Sequence, residues 1–227
     1  MDEAVALLGE HPEARLLAGG HSLIPLMKLR LAQPAALIDI GRLAELKGID
    51  TADGGLRIGS LTTHAELAAS DAVTAACPLL AEAASRIADP QVRNKGTLGG
   101  NIAHADPGSD LPAVLVALDA TVHLHGPGGD RSVAARQFFT GLLTTEMAPG
   151  EVMTHIEVAA LGAGTGSAYL KVEHPASGYA VCGAAAVVGM TAGALNVAAL
   201  AFNGVTETPH LAGAVGGALI GSDGSDA

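Results

Sequence analysis

Two short stretches carry the residues best suited to chemistry: Ala18-Gly19-Gly20-His21-Ser22-Leu23 and Thr97-Leu98-Gly99-Gly100-Asn101. Each sets a glycine pair beside a small hydroxyl residue. Glycine has no Cβ, so it adopts positive φ and lets backbone N–H groups come close to an anion, making a nest for phosphate oxygens. Two nests form a clamp. A pyrophosphate carries charge on both of its phosphates, and a grip from opposite sides satisfies more acceptors than one helix terminus does. The chemistry this suggests is the holding of a dinucleotide, a flavin dinucleotide in particular; two ordinary glycine turns are the alternative.

The surroundings of each pair favour the ligand. Ala14 to Ala18 reads as a short buried strand and Leu23 to Arg30 as a helical turn, so the first pair sits where a strand passes through a glycine turn into a helix. The second lies in a long stretch, Ala88 to Pro112, that lacks an apolar period and has good helix patterns on both sides. An extended loop of that length is functional or disordered.

Composition closes off several function classes. The 227-residue chain is 49% hydrophobic, which places it with globular proteins. A net charge of −11 sets nucleic acid aside, because phosphate-backbone binding needs clustered Lys and Arg. Apolar runs such as Ala180 to Met190 contain glycine and fall short of the roughly 20 residues that cross a bilayer, so no transmembrane segment is expected. The acidic start Met1-Asp2-Glu3 lacks the basic residues of an export signal, and a cytoplasmic location is the expectation. Cys77 and Cys182 are too few for the four thiolates of an iron–sulfur cluster and read as small buried hydrophobes.

The elements that must position the glycine pairs fall into three groups. Residues 2–11 carry apolar positions at helical spacing, and residues 35–40 read as a strand parallel to the first, closing a small α/β lobe over residues 1–47. Asp53-Gly54-Gly55 ahead of Leu56 to Gly59 is a hairpin signal that opens a second lobe, residues 48–161. Within it, Thr63 to Ala69 (capped at Thr62 or Thr63), Leu79 to Ile87 and Leu111 to Leu118 read as helices. Val122 to His125, running into Gly126-Pro127-Gly128-Gly129, reads as another hairpin. Leu161 to Ser167 is glycine-rich but has neither G-x-G-x-x-G spacing nor a βαβ frame, and reads as a linker. Ala180 to Met190 and Leu195 to Phe202 form a hairpin in a third lobe, residues 166–227. Its tail from Gly213, rich in Gly, Ala and Ser, is expected to be poorly ordered.

Ala18-Gly-Gly-His-Ser-Leu-Ile-Pro-Leu-Met-Lys-Leu-Arg30, Ala88-Asp-Pro-Gln-Val-Arg93, Gly96-Thr-Leu-Gly-Gly-Asn101 and Asp106-Pro-Gly-Ser-Asp-Leu111 together are highly specific. With Gly126 to Gly129, Phe138-Phe139-Thr140-Gly141 and Tyr169-Leu170-Lys171, they resemble the FAD-binding medium subunit of molybdenum hydroxylases, most closely the aerobic carbon monoxide dehydrogenase type. The resemblance runs through essentially the whole chain. It implies an α+β, PCMH-type FAD-binding fold of two α/β lobes plus a small C-terminal antiparallel lobe. Measured against the family, the N-terminal strand and the C-terminal helices are expected to be missing, as in a fragment.

The same resemblance implies a function. A large subunit with a molybdenum cofactor oxidises the substrate, a small subunit with two [2Fe-2S] clusters conducts electrons, and the flavin subunit passes them to an external acceptor, in a dimer of heterotrimers. FAD suits that post because it takes single electrons and gives up two together. By this resemblance the chain itself is expected to perform no substrate chemistry. Ala18 to Leu23 and Thr97 to Asn101 are expected to hold the pyrophosphate through backbone N–H groups, with Ser22, Thr97 and Asn101 adding side-chain donors. Asp110 matches the family's acidic FAD ligand, with an N-cap for the following helix as the competing role. Lys171 matches a lysine near the flavin, against a solvated strand lysine; Tyr179 matches an aromatic stacked on one flavin face.

Other chemistries lack support. His21, His104 and His174 lie on three distant loops without ligand spacing, so no metal site is expected from them. No G-x-S-x-G elbow is present for a hydrolase. Two alternatives remain: a noncatalytic scaffold of the same complex, and a self-contained flavin oxidase of the vanillyl-alcohol oxidase type, for whose substrate domain 227 residues leave no room.

Overall fold

Capping residues and glycine turns cut the chain into short elements. In the computed structural model, which describes residues 1–52 and 54–225, α1 (Asp2–Glu10) leads into β1 (Ala14–Leu17), α2 (Leu23–Lys28) and β2 (Ala36–Asp39). The two strands are parallel, with Ala14 opposite Ala36 and Leu17 opposite Asp39. A parallel pair needs a crossover, and α2 with its flanking turns supplies it. This unit has its own small core, in which Ala4, Ala14, Ile38 and Ile40 pack with Leu46, Leu61 and Val152.

The hairpin expected at Asp53-Gly54-Gly55 joins β3 (Ile49–Ala52) to β4 (Gly55–Gly59), Ala52 facing Gly55; Asp53 itself lies outside the described residues. Then come α3 (His64–Ala69), α4 (Asp71–Ala76) and α5 (Pro78–Ser85). Thr63 starts α3 with a reciprocal capping box: its hydroxyl accepts from Glu66 N and the Glu66 carboxylate accepts from Thr63 N. Proline at the first position of α5 has no N–H to leave unpaired.

The stretch 88–112 departs from the expected extended loop. It holds α6 (Pro90–Arg93), α7 (Leu98–His104) and the start of α8 (Asp110–Ala117). Local caps account for this, because Asp89 and Thr97 each accept the N–H three residues ahead. Such capped single turns carry too few apolar residues to show a period.

The chain continues through β5 (Thr121–Gly126), β6 (Gly129–Ala134), α9 (Ala135–Phe138), β7 (Phe139–Gly141), β8 (Thr144–Thr145) and β9 (Val152–Ala159). An antiparallel sheet forms in the order β3-β4-β9-β5-β6. Leu56, Ile58, Val122, Leu124, Ile156 and Val158 alternate onto its inner face and pack against α5, α7 and α8. Each fully buried side chain of this kind contributes roughly 1.5–3 kcal/mol.

β10 (Thr165–Glu173), β11 (Ala180–Thr191), β12 (Ala194–Asn203) and β13 (His210–Leu211) make a second antiparallel sheet. The expected linker therefore ends at Gly164. Ala192 and Gly193 both take positive φ between β11 and β12, the turn whose twist suits a two-residue hairpin. Tyr169, Ala185, Val187 and Ala201 join the same core as the five-stranded sheet, while Leu170 and Val172 on the opposite face stay 64% and 66% exposed. The tail corrects its expectation of disorder: α10 (Gly213–Leu219) lies on β12, with Gly216 against the carbonyl of Ala198, and Leu195 exchanges backbone hydrogen bonds with Gly221 and Ser222. Gly216 lets the helix come that close, so the small residues that suggested disorder are what permit packing. Cys77 is buried as expected, whereas Cys182 is only half-buried. Among the described residues no helix is long and apolar enough to cross a membrane.

Candidate functional site

A cavity of about 640 Å³ opens between the N-terminal unit and the helices beside the five-stranded sheet. Its walls include Ala18, Gly19, Gly20, His21, Ser22, Leu23, Thr97, Gly99, Gly100, Asn101, Asp110 and Tyr179. Residues from widely separated positions are thus brought to one space, within the volume range of cofactor sites. Leu98 and Lys171 are not in the wall: Leu98 is fully buried in the core, and Lys171 stands behind Asp110. His21 and His104 also face the cavity, but His174 does not.

The first glycine pair is an open nest. After β1 the chain turns through Gly20 at φ +76°, and the N–H groups of Gly19, Gly20, His21 and Ser22 find no protein acceptor among the described residues. Ser22 occupies the cap position of α2 without making a side-chain cap, so its hydroxyl is free as well. A Cβ on Gly19 would overlap the carbonyl oxygen of Lys95, so glycine is required for this turn to touch the turn after α6.

The second pair corrects the expectation that its N–H groups grip a phosphate. Leu98 N donates to Thr62 O at 2.9 Å, Gly99 N to Ser60 O at 2.8 Å, Gly100 N to Thr97 Oγ1 at 3.1 Å and Asn101 N to Thr97 O at 3.0 Å. The residues begin a helix, and the preceding strand end and Thr97 satisfy its first turn. Here the glycines serve close packing. A Cβ on Gly99 would stand 2.5 Å from Ser60 Cβ, and one on Gly100 would stand 2.8 Å from Thr97 Oγ1. Asn101 accepts from Ser109 Oγ at 2.8 Å, which leaves its amide N–H groups to face the cavity.

At the far wall lies a buried polar network. Asp110 is the first residue of α8 rather than its cap, a position taken by Ser109. Its carboxylate accepts from Tyr169 Oη at 2.5 Å and from Lys171 Nζ at 3.1 Å. The expected alternative of a solvated Lys171 fails: its side chain is fully buried, and its ammonium also donates to Arg86 O at 2.7 Å and Gly178 O at 2.9 Å. Three donors meet three acceptors. Burial pushes the Asp110 carboxyl above the ordinary carboxylate range, opposed by Tyr169 and Lys171. Tyr169 has one proton and gives it to Asp110, so Asn203 must turn its amide nitrogen toward the phenol, which also pairs an otherwise orphaned buried N–H. Tyr179 sits at the mouth, 44% exposed, its phenol raised by burial and by Asp106 and Asp110.

Two wall residues escaped the sequence reading. Ser60 and His64 line the cavity with Ser60 Oγ and His64 Nδ1 buried and unpaired. The His64 ring packs on Gly96, where an added Cβ would stand 2.9 Å from its Cδ2. Burial, reinforced by His21 and Arg93, holds His64 down at about 4, so it is a neutral imidazole at pH 7. No spacing signal marks either residue; only their meeting at the second glycine pair does.

Comparisons with known proteins give the family. Residues 1–160 match the family described as the FAD binding domain in molybdopterin dehydrogenase. The carbon monoxide dehydrogenase medium chain of Hydrogenophaga pseudoflava is 48% identical over 91% of this chain and 72% of its own length. The glyceraldehyde dehydrogenase medium chain of Sulfolobus acidocaldarius is 41% identical over 97% of this chain and 78% of its own. A solved carbon monoxide dehydrogenase from Hydrogenophaga pseudoflava superposes with a TM-score of 0.95 over 97% of this chain and 77% of that one, at 48% identity. Quinoline 2-oxidoreductase from Pseudomonas putida superposes at 0.92 over 98% and 77%, at 33% identity. With the matched family spanning both glycine pairs and Asp110, the chain belongs to the FAD-binding domains of molybdopterin dehydrogenases.

Proposed function

We propose that this chain is the FAD-binding, electron-transferring subunit of a molybdenum hydroxylase. It takes electrons from the [2Fe-2S] clusters of a small subunit, fed by a large subunit that carries the molybdenum cofactor, and passes them to an external acceptor, in a dimer of heterotrimers. Relatives named as medium chains of carbon monoxide and glyceraldehyde dehydrogenases support the reading. The observation that carries it is the row of four unpaired N–H groups, Gly19 to Ser22, in the wall of a cofactor-sized cavity.

The residues present fit FAD. A nest of free N–H groups suits a pyrophosphate, and the unpaired Ser60 Oγ and His64 Nδ1 supply further partners for a polar ligand in an otherwise buried wall. When bound, FAD supplies the capacity to accept electrons singly and release them as a pair. Gly19 to Ser22 hold the phosphates, with Leu23 closing that side and the Ser22 hydroxyl and Asn101 amide adding donors. Ala18 lines the wall beside them, while Gly99 and Gly100 let the second turn pack on Ser60 and Thr97, with Thr97 fixing the backbone around it. Asp110 in the far wall and Tyr179 at the mouth would contact the cofactor. Lys171 acts through Asp110, because every ammonium hydrogen is already committed.

Mixing the purified chain with FAD and passing it through a desalting column tests this. The wild type emerges yellow, and Gly20→Val emerges colourless with an unchanged circular dichroism spectrum. A folded wild type that emerges colourless contradicts the proposal.

A further inference from the structure

On the face of the five-stranded sheet turned away from the core, β5 and β9 set His123 directly opposite His155. Their rings stack with centroids 4.1 Å apart and 11° between planes. Glu157, two residues along β9 and so on the same face, places one carboxylate oxygen 3.1 Å from His123 Nε2 and the other 3.5 Å from His155 Nε2. One ligand atom from each residue lies within 4.8 Å of the others. We propose that this trio binds a divalent transition ion of the zinc class and staples β5 to β9.

His123 carries the vacant donor atom of the trio. His123 Nε2 is buried and makes no hydrogen bond although a carboxylate oxygen is only 3.1 Å away, so that oxygen lies off the ring nitrogen's axis. A hydrogen bond needs the acceptor on that axis. Coordination needs it off the axis, because two ligands about 2.1 Å from a tetrahedral ion stand about 3.4 Å apart. The separations of 3.1 and 3.5 Å bracket that value. Because the rings are nearly parallel, their Nε2 lone pairs run side by side, and one ring must turn about χ1 and χ2 for both to reach the ion.

The far edge of the His155 ring is anchored. Thr154 Oγ1 donates to the carbonyl of His123 at 3.2 Å and lies 2.8 Å from His155 Nδ1, and Arg57 Nη2 stands 3.5 Å from the same nitrogen, so polar contacts hold the ring from behind. Two imidazoles and one carboxylate select Zn(II), Co(II), Ni(II) or Cu(II) over Mg(II) or Ca(II), which prefer oxygen ligands alone. A fourth ligand would be water or a donor from a partner surface.

The test is a titration of the EDTA-treated full chain with Co(II) and Zn(II), reading the Co(II) visible spectrum and the thermal midpoint. One equivalent binds with micromolar or tighter affinity, the Co(II) bands are those of a four-coordinate site, and Zn(II) displaces them. His123→Ala and His155→Ala each weaken binding at least 100-fold and Thr154→Val about 10-fold, while His125→Gln, on the same strand, binds as the wild type does. With the unaltered protein, Zn(II) protects His123 and His155, but not exposed His11 and His210, from diethylpyrocarbonate, mapped by mass spectrometry. Absence of saturable binding, unchanged affinity in folded His123→Ala, or lack of that protection overturns the proposal.

Discussion

In the turn after β1, Gly19 to Ser22 leave four consecutive N–H groups without an acceptor among the described residues; in the first turn of α7, Leu98 to Asn101 have theirs all taken. The stretches look alike as strings, each a glycine pair beside a hydroxyl residue, yet one is built to bind and the other to pack. The difference comes from what stands behind each. Nothing precedes Gly19 but the end of a short strand, whereas α7 docks its start on Ser60 and Thr62 at the end of β4. A helix N-terminus whose orphan donors are already paired has little left for a ligand. Glycine pairs therefore identify a binding loop only once their donors are traced.

The sharpest way to break this comparison is to substitute one glycine in each stretch. Gly20→Val imposes positive φ on a β-branched residue and drives its Cβ to 2.6 Å from Ile24 Cδ1, so FAD affinity falls more than about 100-fold. Gly99→Val instead overpacks against Ser60 and lowers stability by about 1–3 kcal/mol with or without FAD. Denaturant unfolding and flavin titration of both variants separate the effects; equal loss of affinity in the two, at equal stability, would break the distinction.

Next in size is the acid response of the wall beneath the second pair. The folded pKa of His64 is about 4 against 6.5 for the free group, so the unfolded chain takes up a proton that the folded chain refuses. His64 therefore costs no stability above pH about 6.5, and stability drains away as pH falls from there to about 4, by up to about 3 kcal/mol. His64→Gln removes that share of the pH dependence, as urea midpoints across pH 4–7 will read.

The smallest effects cross over. Thr97→Ala loses the cap of α7, costing about 1 kcal/mol and a few degrees of Tm with little change in FAD affinity. Ser22→Ala caps nothing and keeps its Tm, but weakens FAD about 10-fold through one lost charge-assisted hydrogen bond. Paired melting and binding curves check both.

Much of the scaffold was legible because local signals and tertiary demands coincide. The β3–β4 hairpin, the Thr63 cap and the β11–β12 turn each carry a residue-level cause that survives in the fold. The miscast stretch 88–112 failed where the helices are single turns fixed by side-chain caps, too short for an apolar period to register. The cavity residues brought together from the two glycine stretches, Asp110 and Tyr179, were legible as motifs. The state of their hydrogen bonds was not, since the partners of Gly99 and Leu98 lie at Ser60 and Thr62, far back in the chain. Lys171 and Tyr169 likewise carry no sequence sign that both are buried against Asp110; only the packing of β10 on α5, with α8 set on β11 and β12, determines it.

Amide hydrogen exchange with and without FAD tests the central claim most directly. The account predicts that Gly19, Gly20, His21 and Ser22 exchange rapidly in the free chain and gain strong protection with FAD, while Leu98 to Asn101 are protected in both states and change little. Fast exchange at Leu98 to Asn101 that FAD abolishes, with Gly19 to Ser22 unaffected, would contradict it.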